Sequence, residues 1–161
     1  MISVDASNVI ADLEKYFIET TRKLEHMVRG FSYIISQTAI ANTPIGNSEQ
    51  YFKLYELRQI RLGLEPEEGF AKGSWQVSSN GQFSVQELYS VNSGSTALSL
   101  IKSDLAGYKL GQDVYIGNKG FYITQLNNGY SNQAPLGIMQ PTLETIMASY
   151  MVDLKRLFNE G

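Results

Sequence analysis

Apolar or small residues return every three or four positions over more than thirty residues near the start of the chain: Ile10, Leu13, Phe17, Thr20, Leu24, Met27, Phe31, Ile34, Thr38 and Ala41. Alternating steps of three and four keep such a set on one side of a helix, so the spacing predicts a single long α-helix. Asp5 or Ser7 can cap its start. Asn42 ends it, because Pro44 disfavours the helical conformation in the residue before it. Gly30 is the expected kink point. Asp12, Glu14, Lys15, Glu19, Arg22, Lys23 and Glu25 fill the intervening positions, so the apolar stripe must lie across something apolar. A β-sheet is the simpler cover. The alternative is a self-associating coiled-coil seam, which Thr20 and Thr38 would interrupt.

The stretch 45–72 has no clean period. It carries Tyr51, Phe52, Leu54, Tyr55, Leu57, Ile60, Leu62 and Leu64, then an acidic turn at Glu65, Pro66, Glu67, Glu68 and Gly69. Such a segment is too apolar for a disordered linker and too long for a plain loop. It reads either as a short helix folded back on the core or as an inserted arm that docks on a neighbouring subunit. Next, Trp75, Val77, Phe83 and Val85 flank Ser79, Asn80 and Gly81. A three-residue loop with Gly81 left-handed pairs Val77 with Phe83 and Trp75 with Val85, placing all four on one face.

Ser93 or Ser95 is expected to cap a short helix through Leu98, Ile101 and Leu105 that stops at Gly107. Val114 and Ile116 alternate in a further strand over 112–117, and 127–135 is a turn-rich, aromatic loop. Leu143, Ile146, Met147, Tyr150, Met151, Leu154, Leu157 and Phe158 form a second helical stripe starting just after Pro141. The expected architecture is one α+β domain over 1–161, with the N-terminal and C-terminal helices packed on a small antiparallel sheet and an insertion at about 45–72.

Composition narrows the chemistry. At 161 residues the chain suits one domain. Without cysteine there is no disulfide framework, thiolate metal site or cysteine nucleophile. A net charge of -3 gives no global attraction to phosphate, which argues against electrostatically driven nucleic-acid binding. The acidic start, with Asp5 where a secretory signal needs positive charge, predicts cytosolic synthesis, and no apolar run approaches a membrane span.

His26 is the sole imidazole and sits inside the long helix between Glu25 and Met27, where a solvated side chain is the simpler reading than a catalytic base. Gly69, Lys72, Gly73 and Ser74 do not have the spacing of a phosphate loop, since Lys72 precedes the second glycine. No metal or cofactor is expected. Lys53, Arg58 and Arg61 among Tyr51, Phe52 and Tyr55 could stack bases, but Glu49, Glu56 and Glu65 offset the charge. Ten tyrosines point instead to protein contacts, and Tyr51, Phe52, Tyr55, Leu57 and Tyr130 are the candidate interface residues.

Two segments resemble a known family. The run Ala41-Asn42-Thr43-Pro44-Ile45-Gly46, followed by Gly69-Phe70-Ala71-Lys72-Gly73-Ser74-Trp75, is similar to the "TPxDTG…GxW" signature of tailed-phage neck and tail-completion proteins. Further on, Val114 to Asn118, Phe121-Tyr122-Ile123 and Leu126 to Ile138, including Gly129, Ser131, Gln133, Ala134, Pro135 and Gly137, resemble that family's "YxxxLExGxSxQAPxGM" stretch before a last helix. Asn47 stands where an acidic residue is usual, and Asn127 replaces the common Glu. These are turn and core residues, with no catalytic signature among them.

The resemblance implies a virion structural protein, assembled in the host cytoplasm. Its copies would form a homo-oligomeric ring, hexameric or dodecameric, at the head–tail junction or tail end. Other neck, connector or tail-tube proteins would be its partners, and DNA would pass through the lumen without sequence recognition. A small adaptor or regulatory protein-binding module is the alternative. A hydrolase resting on His26 stands far behind.

Overall fold

A computed structural model describes residues 7–45, 70–83, 94–120 and 123–159. The expected long helix is present as α1, Ser7–Asn42, 36 residues that run unbroken through Gly30. At 1.5 Å per residue it is about 54 Å long. It stops where the sequence predicts: Thr43 closes the last turn by donating its N–H to the Ile40 carbonyl at 3.2 Å and its hydroxyl to the Ala39 carbonyl at 2.7 Å, and Pro44 follows.

A single turn, α2 (Phe70–Gly73), leads into β1 (Trp75–Ser78). After 84–93, which lie outside the described residues, comes α3 (Ser95–Ala106). Its N-cap is Gly94, at φ 68°, rather than the expected serine, and it stops at Gly107 as predicted. The exchange has a steric reason: a Cβ on Gly94 would collide with Cγ2 of Ile40, so glycine both supplies the left-handed turn and lets α3 approach α1.

β2 is Tyr115–Asn118, three residues later at its start than the alternation suggested. It pairs antiparallel with β1, matching Trp75 with Asn118, Gln76 with Gly117, Val77 with Ile116 and Ser78 with Tyr115. The described ladder of β1 is therefore with β2; Val85, its expected hairpin neighbour, lies outside the described residues. Gly81 is left-handed as predicted, at φ 71°. Phe83, however, does not share the face of Trp75 and Val77. Its ring lies 2.6 Å from where a Cβ on Gly117 would stand, and Gly117 shares its sheet face with Gln76. The missing side chain at 117 makes room for the ring.

A one-turn helix absent from the sequence reading, α4 (Ile123–Asn127), precedes the loop to α5 (Met139–Asn159). α5 begins two residues ahead of Pro141. Proline is tolerated there because the N–H groups of a first turn have no helical acceptor.

These elements form the expected α+β class. α3 lies between α1 and β1, α2 packs on α3, and α5 lies against α1, where Asn42 Nδ2 donates to Thr142 Oγ1 at 3.0 Å. Ala39, Ile40, Trp75, Ala97, Ile101, Leu105 and Ile138 make the core.

The long stripe of α1 is not part of that core. The helix buries the side bearing Ser32, Ser36, Ala39, Ile40 and Thr43. Ile10, Leu13, Phe17, Leu24, Met27, Phe31 and Ile34, expected against a sheet, are 42–72% exposed. Small residues at steps of three and four let α3 and α5 come close to the α1 backbone on one side; the bulky stripe faces away. Every side chain of 9–19 is exposed, so this part of α1 projects beyond the other described elements.

Candidate functional site

The motif residues of the first segment meet at the end of α1. Thr43 is 1% and Trp75 4% exposed, and the indole Nε1 donates to Thr43 Oγ1 at 2.8 Å. The threonine hydroxyl thus accepts from the sheet and donates to the helix end. Gly73 closes α2 just before β1. Asn118 holds the same corner from β2: its Nδ2 donates to the Ala71 carbonyl at 2.7 Å, and its Oδ1 accepts from Gly120 N at 2.7 Å.

The second motif is a locked loop. Tyr130 N donates to the Gln125 carbonyl at 3.2 Å and Gly129 N to that of Leu126 at 3.1 Å, the paired bonds of a helix ending on a left-handed glycine. Gly129 has φ 79°, and a Cβ there would strike the Pro135 carbonyl. Gly137 has φ 77°, and its Cβ would strike the Asn127 carbonyl. Between them Ser131 and Ala134 form an isolated bridge, Gln133 N donates to Ser131 Oγ at 3.2 Å, and Gly137 N donates to the Ala134 carbonyl at 3.0 Å.

Asn127 Oδ1 accepts from Ile138 N at 3.3 Å and Met139 N at 2.9 Å. A residue from the previous helix therefore satisfies free donors at the start of α5. Sequence reasoning gave Asn127 no such role, because helix-cap spacing looks only three residues ahead. The small-residue face of α1 was also missed, although Ser32, Ser36, Ala39 and Thr43 at helical spacing were there to signal close packing.

Both motifs line one groove. Ala41 to Ile45, Lys72, residues 133–137 and Pro141 enclose about 470 Å³. Thr43, Pro44, Gln133, Ala134, Pro135 and Gly137 are thus brought together from sites some ninety residues apart in sequence. The described walls mix apolar and polar residues, with Lys72 the one charged residue among the described ones.

Tyr130 lies on the loop and is 70% exposed. Gly46, Tyr51, Phe52, Tyr55, Leu57 and Tyr122 lie outside the described residues, as does most of the expected 45–72 arm. Two further apolar faces are open: the stripe of α1, and Leu143, Met147 and Tyr150 on α5, each 51–58% exposed.

His26 is exposed on α1. Among the described residues no group of three or more His, Asp or Glu is placed to hold a metal ion, and no helix is long and apolar enough to cross a membrane. Comparison with known proteins gives no match to a family model, to a curated protein or to a solved structure.

Proposed function

We propose that this chain is a virion structural protein of the neck or tail-completion kind, one copy of a homo-oligomeric ring at the head–tail junction or tail end of a tailed phage. It acts by protein–protein assembly and catalyses no reaction. The observation that carries this reading is the groove. The two segments that resemble the phage family, distant in sequence, converge on one surface and are fixed there by hydrogen bonds and left-handed glycines. Exposed apolar faces on α1 and α5 are what a subunit only partly satisfied alone would present.

Light scattering and negative-stain images of the purified protein, with a search for the chain in purified virions, test the proposal. Rings, and the protein in particles, are the expected result. A strict monomer absent from particles would end it. A monomer or dimer that captures one soluble partner through these faces would instead support the adaptor reading.

A further inference from the structure

The exposed stripe of α1 repeats in sevens. Writing the helix as heptads with Ile10 and Leu13 at the first and fourth positions, Phe17, Leu24, Phe31 and Thr38 fall at the first, and Thr20, Met27, Ile34 and Ala41 at the fourth. The domain buries a different side, centred on Ser32, Ser36 and Thr43. Three of the five heptads are apolar at both seam positions, Thr20 and Thr38 each replace one apolar residue in the others, and no other described element covers the stripe.

We propose that this seam pairs with the same seam of a second copy, making a two-helix coiled coil between subunits. Three observations select that occupant. A sustained 3.5-residue repeat packs best against another such repeat, and α1 itself provides one. The positions flanking the seam are almost free of charge: of the eight acidic and basic residues from 9 to 42, only Glu14 and Lys23 lie beside it, with opposite signs, so self-pairing meets no run of like charges. Finally, the area is sufficient. Leu13, Phe17, Leu24, Met27, Phe31 and Ile34, together with Ile10, expose roughly 700 Å² of apolar surface per helix, close to the ~800 Å² per partner of a standard interface.

The inference names a surface for self-association; because the same seam meets itself, the contact closes at two copies and would join subunits in pairs, not close a ring, and it does not require a phage particle. A seam dimer absent from virions would keep it and remove the head–tail proposal. Rings whose copy number is unchanged by loss of the seam would do the reverse.

The test uses the full chain. Sedimentation or light scattering on the order of 1–100 μM should show association of the wild type, and Phe17→Glu with Leu24→Glu should weaken it at least about a hundredfold with the far-UV circular dichroism of the fold retained. Because the chain has no cysteine, single introduced thiols report contact directly. Thr20→Cys in the seam should give a covalent dimer with a short bismaleimide; Lys15→Cys, on the far side of the helix, should not. This readout decides the matter even if the double variant fails to fold. A monomeric wild type overturns the proposal, as do association unchanged by the substitutions and equal cross-linking at the two positions. A monomer whose thermal stability falls on Phe17→Glu also overturns it, by placing a segment of the same chain on the seam.

Discussion

Trp75 at the start of β1 donates its indole proton to the hydroxyl of Thr43, the residue just beyond α1, at 2.8 Å and out of reach of solvent. One hydrogen bond thereby joins the sheet to the end of the longest helix. The same hydroxyl donates to the Ala39 carbonyl, so its two functions are used at once.

Thr43→Val keeps the shape and leaves the indole N–H without a partner. A loss of about 1–3 kcal/mol is expected, the cost of an unsatisfied buried donor. Trp75→Phe removes that donor and adds a cavity cost of its own. In urea unfolding followed by far-UV circular dichroism, the double variant should lose less than the two single variants added together. Strict additivity would show the bond to be energetically idle.

The glycines make a sharper pair. Gly137→Ala puts a methyl against the Asn127 carbonyl at a positive φ, and should destabilise by more than about 1 kcal/mol. Gly30→Ala places its methyl in open space in the middle of α1, and should stabilise by roughly 0.5–1 kcal/mol. Thermal melts of the two proteins should move in opposite directions.

Removing the side-chain acceptor in Asn127→Ala frees the amide protons of Ile138 and Met139, at an expected cost of about 0.5–2 kcal/mol. Asn127→Asp retains an acceptor and adds negative charge at a helix N-terminus, so most of the stability should return. Hydrogen exchange at Ile138 and Met139 would localise the effect, and fast exchange in the Ala variant alone is the expected pattern.

Core and seam should respond differently. Ile101→Ala, at a fully buried position, should cost about 2–5 kcal/mol. Leu13→Ala, 62% exposed, should change the unfolding free energy of the dissociated chain by less than about 0.5 kcal/mol. Denaturation at low protein concentration separates the two.

The span of α1 was legible because over thirty residues share one period and a proline follows. Which side of it would be buried was not. Periodicity marks a stripe as apolar without saying what covers it, and Ser32, Ser36 and Thr43 carry no hydrophobic signal. Gly81 was legible as a left-handed turn because the loop length demanded one. The face taken by Phe83 depends on the absent side chain of Gly117 across the sheet, a relation between distant residues that local alternation does not encode. In the groove, Thr43, Pro44 and Pro135 could be read as turn and helix-end residues, while the bonds from Trp75 to Thr43 and from Asn127 to the start of α5 exist only once the chain has folded.

α1 is anchored well back from its N-terminal end. Arg29 donates to the Tyr108 carbonyl at 2.7 Å and pairs with Glu25, which accepts from Leu110 N at 3.1 Å; these are its ties to the 108–110 turn. From Glu25 to Val9 the helix extends about 24 Å further as a rod. The aim of the rod is set at that fulcrum: on the same 1.5 Å rise, a tilt of about 5° there would swing the tip by about 2 Å. Small adjustments of one surface turn are thereby magnified into the position of the exposed tip of α1.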